Sequence, residues 1–479
     1  MSAIDPSPDR DDSRGSESTD FPSVPADLFP LPLTPFEHYM VIDDSPSQPM
    51  IESAQAYFHA PIDLVKLDQA LCKALQRNPM LACRLRPKRK SWEWVYDPNW
   101  KPAIRSFKED PPIVDGRMTP MDLIREPGLR VWYDQNENDA RLYFQIHHAC
   151  ADGIGVRRYI IDVLFIYARA FSNDAKATKS NLRLDRVDHE RLRERGSLQQ
   201  LERNPAKVSI TTMNRLKNLH YFFFQPPRPI TAIDRDADHN SVDDAELIKV
   251  LRMSVVDSNS ILQRAEIEDV DLNDLGLALL FVTCHRWQEK QNANAANKRI
   301  RLLAPVDLRV KEDLRLAAAN RVSYSFLGRT HKQCVEWSDL LHSVQEETTH
   351  IRDSHLYAEF IYGLRTGINF PTIMRWVFKR NANMATAVFT YLGDLNRRVS
   401  RNLSQEAGFT RVGDTLLEDV MASTCVRSNT NLAIILCQAN GKICMAANWN
   451  RLALTANDTV EFLTLFAETW RKWGVHGKP

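Results

Sequence analysis

One short run of this sequence, residues 147–153 (HHACADG), brings together a histidine pair, a carboxylate and a glycine. A neutral histidine has an ordinary pKa of about 6.5, so it can take a proton from a hydroxyl, amine or thiol near neutral pH. We take His148 as the candidate general base. Asp152 follows it across a tight turn and is suited to fixing the loop by pairing with an arginine. Gly153 lets the chain turn and brings backbone N–H groups close to a ligand.

The residues around this run predict a strand that leads into a helix. Side chains alternate before it, which predicts two strand faces: Leu142, Phe144, Ile146 and His148 on one, and Tyr143, Gln145 and His147 on the other. The two histidines therefore point in opposite directions. After Gly153, apolar residues recur at steps of three and four as far as Phe171, which indicates an amphipathic helix. A polar loop at such a junction is a natural active-site position.

Three other readings of the same run stay open on the residues alone. His147 and His148 could be a pair whose hydrogen bonds are satisfied at a strand end, since short motifs often occur by chance. A metal site formed by both histidines and Asp152 is weakened because adjacent strand residues face opposite ways. Cys150 as a nucleophile has no neighbour that would lower the pKa of its thiol.

Composition excludes some classes of partner. The chain has 479 residues, 43% of them hydrophobic and 26% charged, with a formal net charge of +1. This is the composition of a globular protein long enough for two domains. A balanced charge, without basic runs interleaved with aromatics, disfavours nucleic acid as a partner. The 8 cysteines have no metal-binding spacing and are expected to be buried free thiols in a reducing compartment.

The first residues and the hydropathy pattern indicate a cytoplasmic protein. Residues 1–27 are rich in Asp, Ser and Pro, so they are expected to form a disordered tail. They lack the basic and apolar regions of a secretory signal. No stretch approaches the about 20 apolar residues that cross a bilayer.

Both halves of the chain mix predicted antiparallel strands with helices of similar size, which predicts the α+β class. They include a helix from Leu64 that Asn78-Pro79 stops, a hairpin through Asn440-Gly441, and a last helix from Thr455 to Gly474. Residues 172–245 are charge-dense and weakly periodic. We therefore predict an N-terminal domain at 28–180 that carries the histidine motif, a crossover linker at 181–245 and a C-terminal domain at 246–479.

Several motifs together resemble one acyltransferase superfamily. Its HHxxxDG pattern matches residues 147–153, and four further segments are similar to its other elements: 29–35 (FPLPLTP), 71–85 with NPML, 272–274 (LND), and 304–309 (APVDLR) followed by 320–323 (NRVS). The superfamily contains nonribosomal peptide condensation domains, plant BAHD acyltransferases and bacterial wax ester synthase/diacylglycerol acyltransferases. The resemblance covers nearly the whole chain after the tail.

The resemblance implies a fold and a set of residue roles. The fold is two chloramphenicol-acetyltransferase-like domains in a V-shaped pseudo-dimer with a tunnel between them. His148 would deprotonate the acceptor, His147 and Gly153 would support it, and Arg309 would form a structural ion pair with Asp152. The tunnel or substrate candidates are Asn320, Ser323 and Thr390. No metal and no bound cofactor are implied.

The resemblance also narrows the reaction. We expect transfer of an acyl group from acyl-CoA, as co-substrate, to an alcohol, in the manner of the wax ester synthase side, since the DFGWG motif of the BAHD branch is missing. The alternatives are an amide-forming condensation enzyme that uses a donor bound to a carrier protein, with an amine acceptor, and a catalytically silent binding protein. The basic and aromatic run 374–380 could contact a membrane surface, and the aromatic run 221–224 could line an acyl tunnel.

Overall fold

A computed structural model describes residues 20–89, 91–114, 117–171, 184–198, 225–231, 246–291, 299–370, 372, 384–395, 397–427 and 430–479. The predicted contacts of runs 221–224 and 374–380 lie outside the described residues, as do residues 1–19 of the predicted tail and most of the predicted linker. Asp20 Oδ2 accepts a hydrogen bond of 2.8 Å from Arg169 Nη1. The ordered fold therefore already includes the last residues of the segment expected to be disordered.

The described part of the chain contains short and long strands in both halves. In chain order they are Leu31–Pro32 (β1), Ile51–Phe58 (β2), Cys83–Lys88 (β3), Ser91–Tyr96 (β4), Ile104–Ser106 (β5), Ile113–Val114 (β6), Arg117–Met118 (β7), Leu129–Gln135 (β8), Ala140–His147 (β9), Lys249–Arg252 (β10), Arg299–Asp307 (β11), Val322–Thr330 (β12), Ala387–Asp394 (β13), Gln405–Glu406 (β14), Phe409–Val412 (β15), Thr415–Ser423 (β16), Leu432–Ala439 (β17) and Lys442–Trp449 (β18).

Helices alternate with these strands. They are Pro35–Asp43 (α1), Leu64–Arg77 (α2), Gly153–Arg169 (α3), Val255–Ile267 (α4), Leu272–Gln291 (α5), Trp337–Asp353 (α6), Ala358–Ile368 (α7), Arg397–Asn402 (α8) and Ala456–His476 (α9). None of the helices within the described residues combines the length and the apolar character that a membrane crossing needs.

Two large sheets dominate the fold. The first has seven strands in the order β14-β15-β16-β2-β9-β8-β5, and the second has six in the order β10-β18-β17-β13-β11-β12. Most neighbouring strands are antiparallel, but β13 runs parallel to both β11 and β17. The predicted α+β class is confirmed. Because β9 lies between β2 and β8, the turn that follows it starts in the middle of a sheet.

The two halves of the chain share a sheet and a hydrophobic core. Strand β16, from the second half, pairs antiparallel with β2 in the first sheet, so the second half extends that sheet. A hydrophobic cluster then joins the two sheets, with Ile51, Trp132 and Met421 from the first and Ile435 and Cys444 from the second. The site described below is built from both halves for this reason.

Most predicted elements are present, and one helix end was wrong. Thr455 caps α9, with Asp458 completing a reciprocal capping box, as the spacing predicted. Gly474, however, lies inside this helix, where a Cβ atom would approach Ile261 Cγ1 to 2.7 Å. Gly477 ends the helix instead, with a φ of 70° that favours glycine. A small residue needed for close packing was mistaken for a helix stop.

Candidate active site

The histidine motif forms the turn between β9 and α3. Asp152 is the N-cap of α3, and its Oδ1 accepts a hydrogen bond of 2.9 Å from the Gly155 backbone N–H. A side chain at Gly155 would collide with the Ala319 backbone, whose N and O atoms lie 3.0 Å from the position of its Cβ. The helix start therefore packs directly on a segment of the second half. His147 and His148 are 1% and 4% exposed, so both rings are almost fully buried.

The ring of His147 is held by two partners away from the open part of the site. Its Nδ1 accepts a hydrogen bond of 3.1 Å from the Ala149 backbone N–H. The proton of a neutral ring must then lie on Nε2, which is 3.5 Å from Asp44 Oδ2. Burial would raise the pKa of Asp44, but its hydrogen bonds to His147 and to the Met50 backbone N–H, with other partners, lower it overall.

The ring of His148 has the opposite tautomer. Its Nδ1 lies 3.2 Å from the Ala151 carbonyl oxygen, which can only accept, so Nδ1 carries the proton. Nε2 is then the basic nitrogen, and it lies 3.3 Å from Glu52 Oε1. His148 and Glu52 both line a large cavity. This tautomer presents a lone pair on Nε2, which is what a general base requires.

Asp152 and Arg309 form a bidentate ion pair that joins the two halves. Arg309 Nη1 and Nη2 donate hydrogen bonds of 2.9 Å each to the two oxygens of Asp152. The Arg321 backbone N–H donates another, of 2.7 Å, to Asp152 Oδ2. Burial disfavours the Asp152 carboxylate, but the charge of Arg309 and these hydrogen bonds outweigh it, so the pKa of Asp152 is lowered. The carboxylate is fully engaged in fixing the turn.

The cavity in front of His148 has a volume of about 1400 Å³. Ligand pockets in proteins commonly measure about 300–1000 Å³, so this one has room for more than a small substrate. Its apolar walls come from both halves: Ile160 and Leu164 of α3 belong to the first, and Phe360 of α7 and Val388 of β13 to the second. An apolar space of this size suits a molecule with a hydrocarbon portion.

The predicted tunnel residues fall into two groups. Thr390 lines the cavity, and its buried Oγ1 has no hydrogen-bond partner within the described residues. Asn320 and Ser323 are not among the lining residues. Asn320 Nδ2 instead donates to the His148 and Ala149 carbonyls, at 2.7 and 2.8 Å. Asn320 thus holds the backbone of the turn. This structural role differs from the predicted contact with substrate.

Ser323 and Gly153 also differ from expectation. The Ser323 hydroxyl donates a hydrogen bond of 2.6 Å to the Tyr357 carbonyl, so it ties β12 to the start of α7. Gly153 is the first residue of α3 and lines the cavity, but its φ is not positive. A Cβ there would meet Leu392 Cδ2 at 3.7 Å, an ordinary contact. The turn therefore does not need a glycine at position 153.

The alternative chemistries of the motif find no support in this geometry. Burial raises the pKa of the Cys150 thiol, and Cys150 does not line the cavity. Its Sγ packs against Gly128, where an added Cβ would come within 2.4 Å. The ring of His147 and the carboxylate of Asp152 each bond to other partners, so the motif does not gather three ligands. In the part of the chain that is described, no group of three or more His, Cys, Asp or Glu could hold a metal.

Glu52 is the site residue that sequence reasoning missed. Its position on β2 is opposite Ile146 of β9 and thus diagonal to His148, on the same face of the sheet. Glu52 lies outside every motif that the sequence singled out. A carboxylate within a run otherwise rich in apolar and small residues was the available signal. The pairing of β2 with β9, which brings it to His148, is not visible in one sequence.

No protein-family model matches the sequence, and a comparison with curated proteins finds no match. Solved structures match the fold. The first condensation domain of the CDA synthetase is 12% identical with a TM-score of 0.64, over 94% of this chain and 97% of that chain. Polyketide synthase associated protein 5 from Mycobacterium tuberculosis is 14% identical with a TM-score of 0.58, over 94% of this chain and 100% of that chain.

A third similar structure was solved with ligands. It is a variant of the starter condensation domain of rhizomide synthetase in complex with C8-CoA and Leu-SNAC, 12% identical with a TM-score of 0.60, over 94% of this chain and 95% of that chain. At these identities the similarity is one of fold. The chain has the fold of condensation domains, so the resemblance drawn from its motifs is confirmed at that level.

Proposed function

We propose that this protein is an acyltransferase that moves an acyl group, other than aminoacyl, from acyl-CoA to an alcohol. One observation carries the proposal: His148 presents its basic Nε2 next to a 1400 Å³ cavity, on a turn fixed by Asp152 and Arg309. The fold of condensation domains supports acyl-transfer chemistry, and the C8-CoA in one similar structure supports a thioester donor. The wax ester synthase relationship, the V-shaped arrangement of two like domains and a cytoplasmic location stay predictions.

His148 would act in two steps. Nε2 first takes the proton of the acceptor hydroxyl as its oxygen attacks the thioester carbonyl. The C–O bond forms and the C–S bond breaks, and the departing thiolate receives the proton from Nε2. The Nδ1–H contact with the Ala151 carbonyl holds the ring during both transfers. Asp152 and Arg309 take no part in the chemistry and serve as positioning residues.

The volume and the lining of the cavity support the binding of two substrates at once. Side chains such as Ile160 and Leu164 offer an apolar wall for an acyl chain, and Thr390 Oγ1 offers a free hydrogen bond for a polar part of either substrate. A carrier-bound donor would reach the same His148 through its thioester arm, and an amine would be deprotonated in the same way. The experiment therefore has to separate donors and acceptors.

The test is release of free thiol from acyl-CoAs of short to long chain, each with mixed alcohols and mixed amines. Wild type is compared with His148→Ala and with Cys150→Ser, a control that removes a thiol outside the cavity. We expect acceptor-dependent release that His148→Ala lowers by about 10²–10⁴-fold and Cys150→Ser leaves unchanged. Equal rates in wild type and His148→Ala would overturn the general base. No release with any acyl-CoA, repeated with acyl-pantetheine, would favour a silent binding protein.

A further inference from the structure

Glu52 makes an unusual contact with the candidate base. Its Oε1 lies 3.3 Å from His148 Nε2, and both side chains are buried at the wall of the cavity. The Thr424 hydroxyl donates to the same Oε1 at 3.3 Å. The other oxygen, Oε2, has no hydrogen-bond partner within the described residues. A buried carboxylate with one oxygen unpaired is costly, so its protonation state needs an explanation.

The tautomer of His148 restricts the possible protonation states of Glu52. Because Nδ1 donates to the Ala151 carbonyl, a neutral ring presents a lone pair on Nε2. An ionised Glu52 also presents only lone pairs, and two such atoms at 3.3 Å repel each other. A proton between Nε2 and Oε1 removes the repulsion. In a desolvated site the neutral pair, with the proton on the carboxyl, is favoured over two separated charges.

The surroundings of Glu52 favour its neutral form. Burial raises the pKa of Glu52 to about 7, His148 opposes this shift, and the charge of Asp152 adds to it. The other titratable groups that face Glu52 are Tyr324 of β12 and Cys425 after β16, and burial raises the pKa of both. Neither offers a positive charge. Arg309, which lines the same cavity, is already engaged by Asp152 and Asp307.

We propose that Glu52 is a positioning residue which, as a neutral acid, donates a hydrogen bond to His148 Nε2 and blocks the base until this proton leaves. The inference rests on the proposed function for its catalytic meaning. Once ionised, Glu52 no longer donates a hydrogen bond to Nε2. Its negative charge then stabilises the imidazolium that forms when His148 takes the acceptor proton. Glu52 neither gains nor loses a proton during turnover.

The first test needs no substrate. Infrared spectra at about pH 5.5 and pH 8.5 report the C=O stretch of a protonated carboxylic acid, which carboxylates and amides lack. We expect a band in wild type at the lower pH that is lost in Glu52→Gln and that fades as the pH passes about 7. Asp43→Asn is the control, because burial raises the pKa of Asp43 to about 6 and it gives an acid band of its own. A spectrum of Glu52→Gln that keeps the whole wild-type band overturns the proposal.

The second test uses two substitutions of Glu52. One introduces a side chain that can donate a hydrogen bond, and the other a side chain that cannot. The amide of Glu52→Gln can donate to Nε2 at every pH, so we expect kcat/KM to stay at least about tenfold below wild type at pH 8. Leucine cannot donate, so Glu52→Leu should lose the rise in activity near pH 7 and keep activity at lower pH. Equal loss in both variants with the wild-type pH profile overturns the proposal. An acid band without any thiol release would instead reject only the proposed function.

Discussion

His147 and His148 are neighbours in sequence, and each has a carboxylate beside its Nε2 atom, but the two pairs have different surroundings. His147 uses both ring nitrogens, for the Ala149 backbone N–H and for Asp44, and does not line the cavity. His148 uses Nδ1 for the backbone and presents Nε2 beside the cavity, next to Glu52. Opposite strand faces and opposite tautomers thus separate a structural pair from a reactive one.

The largest difference between the two pairs lies in the pKa of their carboxylates. Asp44 keeps a lowered pKa despite burial, because His147 and the Met50 backbone N–H both bond to it. Glu52 has a raised pKa because burial is not balanced by partners. A buried histidine and carboxylate therefore stabilise the fold only where the remaining lone pairs are satisfied. Where these lone pairs are not satisfied, the buried carboxylate destabilises the folded protein. Groups with pKa values perturbed in this way are concentrated at functional sites.

Both pairs depend on the turn, so the change with the largest effect on stability is removal of the Asp152 carboxylate. Asp152→Ala leaves Arg309 buried without its bidentate partner, and breaking a buried ion pair costs about 3–5 kcal/mol. Urea unfolding at neutral pH measures the loss. Asp307→Ala is the control, since Asp307 contacts the same arginine from a more exposed position and should cost at most about 1 kcal/mol. Similar losses in the two variants would mean that the turn does not depend on Asp152.

The two carboxylates should respond to pH with opposite signs. Glu52 has a pKa of about 7 in the folded protein against an ordinary value of 4.5, so unfolding releases a proton between these pH values and stability falls as the pH rises through them. Glu52→Gln removes this cost. At about pH 8 it should raise the free energy of unfolding by about 1–3 kcal/mol, and at about pH 4.5 it should change little.

Asp44→Asn provides the opposite case. The pKa of Asp44 is lowered in the folded protein, so its contribution to stability is present above its ordinary value and is lost as the pH falls below it. Asp44→Asn should therefore destabilise the protein at neutral pH, by an amount that shrinks towards about pH 3. Thermal unfolding of wild type and both variants across this range measures both effects. Destabilisation by Glu52→Gln at pH 8 would contradict the comparison.

Much of this site was predictable because its residues are close in sequence. Alternation before the motif predicts that the two histidines face apart, and β9 bears this out through its register with β2. The structure also forms the Asp152–Arg309 contact that the family resemblance implied. The hairpin at Asn440-Gly441 has positive φ values of 49° and 71°, which this dipeptide tolerates. Interactions between residues close in sequence can be predicted from a single sequence.

The missing parts depend on contacts between distant segments. Glu52 reaches His148 only because β2 pairs with β9, and Thr424 reaches Glu52 only because β16 pairs with β2. Strand β16 alternates buried and half-buried residues, but the polarity of its side chains does not follow this alternation, so nothing in the sequence pattern assigns it to the first sheet. Asn320 illustrates the same limit: its position in the segment 320–323 (NRVS) suggested a contact with substrate, whereas its side chain bonds to the backbone of the turn.

The smallest expected effect is that of His147→Asn, which tests whether the two histidines have separate roles. Asparagine can place its Oδ1 near the position of a histidine Nδ1, so His147→Asn can still accept from the Ala149 N–H and loses only the Asp44 contact. We expect a loss of about 1 kcal/mol in stability and a kcat/KM within about threefold of wild type. His148→Asn, the matched variant, has no base at the position of Nε2 and should lose turnover at similar stability. If His147→Asn also abolished turnover in a folded protein, the division into a structural and a reactive histidine would fail, because the contact with Asp44 would then have to reach the chemistry through the shared turn.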